Sequence, residues 1–262
     1  MTNSSPPPQS SPYQSLNLVL KHLKLSHFIA EWPTLEQRAT QAHWSYAQFL
    51  LALAEGEANR RDQARITRAL SEAHLPYAKS LSNFEFAHLP SLKPAVVMPF
   101  LEDSAWLTRA ENLLLFGPSG VGKTHLSAAV GQAMVAFGRR VKFLAATTLV
   151  QQLQQAKLQL QLPILLSKLD RYDLLIINDL GYVKKTEAET SVLFELIAHR
   201  YERKSLLITA NQPFSQWDSI FCDSMMTVAA IDRLVHHATI IELQAESFRK
   251  QAALARSKSP QT

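Results

Sequence analysis

Eight consecutive residues, Gly117-Pro118-Ser119-Gly120-Val121-Gly122-Lys123-Thr124, have the types and spacing that bind a triphosphate. Glycines let the backbone curl so that successive N–H groups face phosphate oxygens, and a helix starting at the end of the loop adds the positive end of its dipole. Lys123 is then the cation for the β- and γ-phosphates, and the Thr124 hydroxyl is a ligand for the accompanying Mg2+. A second pair, Asn178-Asp179, follows the apolar run Leu174-Leu175-Ile176-Ile177. Triphosphate hydrolysis needs acidic groups at such a strand end, one for the metal and one to polarise the attacking water. Here the first is an amide. Asn178 has no charge to offer Mg2+ and Asp179 is a short acid, so weak turnover is expected. An ordinary strand closing in an Asx turn is the plainer reading. Asn211, after the run ending Thr209-Ala210, suits a sensor of the γ-phosphate, or else a satisfied strand-end amide. Arg233, in Ile231-Asp232-Arg233-Leu234, suits a finger reaching a neighbouring subunit's nucleotide, or a local salt bridge.

These groups need a scaffold that brings them to one edge. Five short apolar runs, Leu113 to Phe116, Val141 to Leu144, Leu174 to Ile177, Leu206 to Thr209 and Thr239 to Leu243, read as strands buried on both faces. Helical stretches alternate with them; the one after the loop carries Leu126, Val130 and Met134 and stops at Gly138. The class is α/β with a doubly wound parallel sheet, and its ligand belongs at the C-terminal ends of the strands. Upstream, Leu16, Val19, Leu20 and Leu23 share one helix face. Ser45 with Gln48 makes a capping box before Tyr46, Phe49, Leu50 and Leu53. Residues 13–76 therefore form a small all-α domain and residues 77–250 the nucleotide domain, the latter entered through a Pro-rich linker running to about Arg109. Residues 1–12, rich in Ser and Pro, and 251–262 are disordered or flexible tails.

With 262 residues, 47% hydrophobic and 19% charged, the chain has ample core material for two unequal domains. The lone Cys222 can form no internal disulfide, and there is no export signal or apolar run of membrane length, so a cytoplasmic protein is expected. A net charge of +5 favours a polyanionic partner. Arg61, Arg65 and Arg68 fall on one helix face, a spacing suited to a row of phosphates, and Lys184 and Lys185 follow the Asn178-Asp179 strand. Both clusters read equally as solvated surface. His125, His199, His236 and His237 are scattered and read as surface or packing residues rather than metal ligands.

The GPSGVGKTHL loop, the DLLIINDLGY strand, the RYE segment before LLITANQPFSQW, and the IDRLVHH helix together closely resemble the insertion-sequence helper ATPases called IstB. These are relatives of bacterial helicase loaders within the AAA+ class. The resemblance runs from about Leu16 to Arg249 and includes the WSYAQFL helix. It implies an AAA+ ATPase that oligomerises, binds duplex DNA with little sequence preference and activates a partner transposase. Carried over by residue, Gly117 to Thr124 and His125 contact the nucleotide, and Lys123 and Thr124 are the Walker A pair. Thr124, Asn178 and Asp179 stand at the metal and Asp179 is the second Walker B acid. Asn211 is the first sensor and Arg233 the arginine finger. Asn178 departs from the usual Asp, which bears on Mg2+ and turnover rather than on ATP binding. A GTPase lacks support because Ser167-Lys168-Leu169-Asp170 precedes the Walker B strand, and no Arg-rich lid marks a small-molecule kinase. A helicase loader and an ATP-binding scaffold with little turnover stay as the competing readings.

Overall fold

The computed structural model describes residues 12–76, 79, 83–84, 89, 92–181, 186–213, 216–217 and 224–244. Both tail readings fall almost wholly outside them; residue 12 already begins a helix. The chain divides into two compact units, Met1–Thr67 and Arg68–Thr262.

In the first unit, helix α1 (Pro12–His22) packs on α2 (Ser26–Gln41), followed by α3 (Tyr46–Ala73), which continues into the second unit. The capping box at the start of α3 is realised. The Ser45 N–H donates to Gln48 Oε1 at 2.8 Å and the Gln48 N–H to Ser45 Oγ at 3.3 Å, each side chain satisfying a helix-end donor. Helix α2 was not expected from the sequence, because Pro33 interrupts it and its apolar stripe is weak. It is held from outside. Its His27 N–H donates to the buried carboxylate of Glu57 on α3 at 2.8 Å, and Arg60 and Arg61 bond the other oxygen. Hydrogen bonding from Arg60 first, then Arg61 and the His27 N–H, outweighs burial and lowers the Glu57 pKa from 4.5 to about 2. Gly56 makes room for this contact, since a Cβ there would run into the His27 ring.

In the second unit, residues 94–108, within the stretch expected to be a linker, form three short helices, α4 (Pro94–Val97), α5 (Pro99–Glu102) and α6 (Ala105–Thr108). Phe84, Leu89, Leu92, Phe100 and Trp106 from this stretch are buried. Prolines at the first positions of α4 and α5 start helices here instead of preventing them.

All five expected strands form: β1 (Asn112–Phe116), β2 (Val141–Ala145), β3 (Leu174–Leu180), β4 (Ser205–Ala210) and β5 (Ala238–Glu242). They are parallel, in the order β2-β3-β4-β1-β5. Between and beside them run α7 (Lys123–Ala136), α8 (Ala146–Leu158), α9 (Leu162–Leu169), α10 (Glu187–Arg200) and α11 (Ser224–Val235). Alternation along the strands sorts the two faces. Leu175 and Ile177 join a core with residues of α8 to α11, whereas Ile176 faces Gly131 of α7, where a Cβ would meet its side chain. Helices thus cover both faces, as the doubly wound reading requires. Strands β1 and β4, flanked on both sides, are buried throughout, and the edge strands β2 and β5 only in part.

Arg200, in the residue run containing RYE, is fully buried and donates to the carbonyls of Leu169, Tyr172 and Ser205. Burial lowers its pKa to about 10, which leaves it charged at neutral pH. It ties the end of α9 to the start of β4. No helix among the described residues is long and apolar enough to cross a membrane.

Candidate nucleotide-binding site

Strand β1 lies between β4 and β5, and its C-terminal end feeds the loop. At Gly117 (φ 141°) the chain leaves the sheet so close to β5 that a Cβ would collide with the Leu243 carbonyl. Gly120 (φ 89°) and Gly122 (φ 101°) supply the remaining left-handed turns, and Gly122 is the N-cap of α7. Helix α7 therefore points its N-terminus at the loop, the arrangement that favours an anion.

Lys123 opens α7 and is 4% exposed. Its ammonium donates to the carbonyls of Gly117 (2.7 Å) and Pro118 (2.8 Å) and to Asn211 Oδ1 (2.8 Å). The Walker lysine and the proposed sensor, 88 residues apart, thus meet directly. Asn211 follows β4 and the chain beyond it is pinned by Trp217, which is buried, stacks edge-on to Phe116 and donates from Nε1 to the Gln212 carbonyl. Thr124 is half-buried, and its carbonyl accepts from Ser127 Oγ. His125 packs edge-on to Phe84, and a Cβ added at Gly122 would also come into contact with the Phe84 ring.

The Asn178-Asp179 pair sits within β3 rather than after it. Pairing with β4 shifts register between Ile177 and Leu180, and Asp179 adopts a left-handed conformation (φ 61°). This bulge re-aims the acid. Thr209 of β4, fully buried, holds it in place: the Asp179 N–H donates to Thr209 Oγ1 (2.8 Å), which donates to Asn178 Oδ1 (3.1 Å). Asn178 Nδ2 in turn donates to Asp179 Oδ2 (2.9 Å). A carboxylate only accepts, so the amide nitrogen must face it. Asn178 therefore has both polar atoms engaged within the protein. Sequence reading missed Thr209 as a functional residue; its one signal was a hydroxyl in an otherwise apolar, buried run. Phe84, hidden in the supposed linker, had none.

The remaining candidates lie apart from this network. Arg233 on α11 is half-buried, donates to the Ala229 carbonyl at 2.9 Å and lies over the Phe194 ring, 5.1 Å from its centroid. Arg61, Arg65 and Arg68 are all exposed on α3. Arg61 is partly committed, to Glu57 and to the Lys24 carbonyl, and Arg65 pairs with Asp62 at 3.4 Å. Lys184 and Lys185 fall outside the described residues.

Comparison with known proteins agrees with this geometry. The chain is 50% identical over 239 residues to a putative insertion sequence ATP-binding protein of Sinorhizobium fredii, covering 91% of this chain and 80% of the relative. The insertion sequence IS21 putative ATP-binding protein of Pseudomonas aeruginosa is 35% identical, covering 89% of this chain and 88% of that one. Among solved structures, the DnaC helicase loader superposes with a TM-score of 0.53 at 16% identity, over 64% of this chain and 98% of the loader. AMPPCP-bound DnaA from Aquifex aeolicus gives 0.55 at 19% identity, over 71% of this chain and 56% of DnaA. Those two likenesses are of fold alone. The model of the IstB-like ATP binding protein family matches residues 18–256, and the chain, with its P-loop, belongs to that family.

Proposed function

We propose that this protein is the ATP-dependent, DNA-binding helper of an insertion-sequence transposase, acting in the bacterial cytoplasm. It oligomerises on duplex DNA with ATP at subunit interfaces, reads little sequence, and activates its partner transposase. The observation that carries the reading is the 2.8 Å bond between Lys123 Nζ and Asn211 Oδ1, which joins the phosphate loop to a sensor at the end of β4. Relatives named as insertion-sequence ATP-binding proteins supply the biological setting.

In this reading Gly117 to Gly122 and the N-terminus of α7 cradle the phosphates, Lys123 neutralises them, and His125 borders the loop. Mg2+, held by the Thr124 hydroxyl and Asp179, would screen charge between the β- and γ-phosphates. Asn178, both of whose polar atoms are used, positions Asp179 instead of ligating the metal. Asp179 orients a water whose oxygen attacks the γ-phosphorus. The bond to the bridging oxygen breaks, ADP leaves with that electron pair, and the water proton passes through Asp179 to solvent. Asn211 senses the γ-phosphate, and Arg233 of a neighbouring subunit spreads the developing charge after leaving its own Phe194 face. Arg61, Arg65, Arg68, Lys184 and Lys185 contact DNA phosphates. A second reading, a scaffold that binds ATP but turns it over slowly, draws on the same engagement of Asn178. Phosphate release in steady state separates the two.

Mixing Lys123→Ala and Arg233→Ala subunits tests the assembly, because each variant keeps the half-site that the other lacks. ATP-dependent complexes on duplex DNA should be weak for either variant alone and partly restored in the mixture, as light scattering or electrophoretic mobility would report. Arg233→Ala complexes equal to wild type over a protein titration would reject a shared site.

A further inference from the structure

Away from the nucleotide loop, two tight turns bring three strong metal-ligating side chains together. Glu202 lies in the turn from α10 to β4 and holds a left-handed backbone (φ 56°), a conformation that costs energy in a residue with a Cβ. His236 and His237 form the two-residue turn from α11 to β5. Glu202 Oε1 stands 3.7 Å from His236 Nδ1 and 3.7 Å from His237 Nε2, and the two imidazole centroids are 4.0 Å apart. All three ligand atoms lie within 4.8 Å of one another, and all three side chains are exposed.

We propose that Glu202, His236 and His237 bind a first-row transition-metal dication of the zinc class. Ligand atoms about 2.0–2.1 Å from a tetrahedral zinc ion stand roughly 3.4 Å from each other, so the observed 3.7 Å spacings need only small side-chain movements. The backbone of both turns is already fixed. His236 N–H donates to the Asp232 carbonyl, the His237 carbonyl accepts from Asn112 N–H, and Tyr201 N–H donates to the Ile197 carbonyl. Two imidazoles and one carboxylate suit zinc and its neighbours, whereas Mg2+ prefers oxygen ligands alone. The exposed fourth position leaves room for water. Tyr201 Oη is 2.7 Å from His236 Nδ1 and must swing aside or hydrogen-bond the bound ion's water.

Such an ion would clamp the end of α11, the helix that carries Arg233, to the turn that leads into β4 and Asn211. The site is independent of ATP binding. Its residues lie 34 and 35 positions apart in sequence, which is why the histidines read as scattered.

Zn2+ titration of the full chain against a chromophoric chelator, without nucleotide, tests the proposal. One site should appear in the wild type, weakened about tenfold or more in His236→Ala, His237→Ala and Glu202→Gln, since even outer-shell changes at metal sites cost 10–100-fold. Co2+ should give a visible ligand-field spectrum that the His236→Ala/His237→Ala double variant loses. Zn2+ should raise the melting temperature of the wild type and not of the double variant. Because the three side chains are exposed, ATP binding by the variants checks that they fold. Equal Zn2+ affinity in wild type and double variant, or no Co2+ spectrum in the wild type, would overturn the site and leave a carboxylate ion-paired to two surface histidines.

Discussion

Glu57 of the helical unit and Asp179 of the sheet unit are both acids fixed by hydrogen bonds, yet their partners differ in kind. Glu57 is wrapped by two guanidinium groups and a helix-end N–H, so its charge is consumed inside the fold and its pKa falls to about 2. Asp179 is held by neutral groups: the Asn178 amide bonds one oxygen and Thr209 bonds its backbone. Neutral donors orient a carboxylate without cancelling it, and its charge remains available to a metal ion or a water. Surrounding cations mark the first acid as structural, and a neutral amide–hydroxyl chain on a bulged strand suits the role proposed above for the second.

Isosteric amides break the comparison most directly. Asp179→Asn keeps the acceptor for Asn178 and should leave the melting temperature nearly unchanged, while phosphate release falls by about 10²–10⁴-fold, the usual contribution of a positioned base. Unaltered turnover would move the catalytic role elsewhere. Glu57→Gln should do the reverse. ATP binding and turnover per folded molecule stay the same, and the helical unit loses about 1.5–3 kcal/mol, as expected for charge-assisted hydrogen bonds. The sign in acid follows from the depressed pKa. The ionised Glu57 contributes fully above its unfolded value of 4.5 and progressively less as pH falls through that value toward about 2. Chemical denaturation between pH 6 and 3 should therefore show a wild-type decline that Glu57→Gln largely lacks. The smallest effect belongs to Thr209→Val, which leaves the Asp179 N–H and Asn178 Oδ1 unpaired in a buried site and should cost about 1–3 kcal/mol of stability. Turnover should drop with it while ATP affinity holds, because Lys123 does not touch Thr209. A Thr209→Val protein of wild-type stability and rate would mean that the bulge aims Asp179 unaided.

The parts of this fold legible in the sequence were those written in short, continuous patterns. Strands β1 to β5 stood out because strands covered on both faces by helices are apolar runs, here of four or five residues, and the loop because its glycines and Lys123 are contiguous. The capping box at Ser45 and Gln48 was legible for the same reason. Helix α2 was not, since Pro33 argues against it locally and the Glu57 carboxylate that supports it comes from 30 residues away. The helices α4 to α6 escaped notice because each is four residues long, too short for a helical period to register.

From residue types and spacing alone came the phosphate loop, its lysine, the parallel α/β class and the Asn178-Asp179 departure, because each is encoded within a few neighbouring positions. Only the tertiary structure decided which distant groups meet. It set Lys123 on Asn211, aimed Asp179 through Thr209, turned Arg61 toward the Lys24 carbonyl and gathered Glu202 with His236 and His237. Those pairings depend on strand order and on how each turn leaves the sheet. Both are settled by packing across the whole domain, where residues 30 to 88 positions apart carry no common period for a local reading to detect.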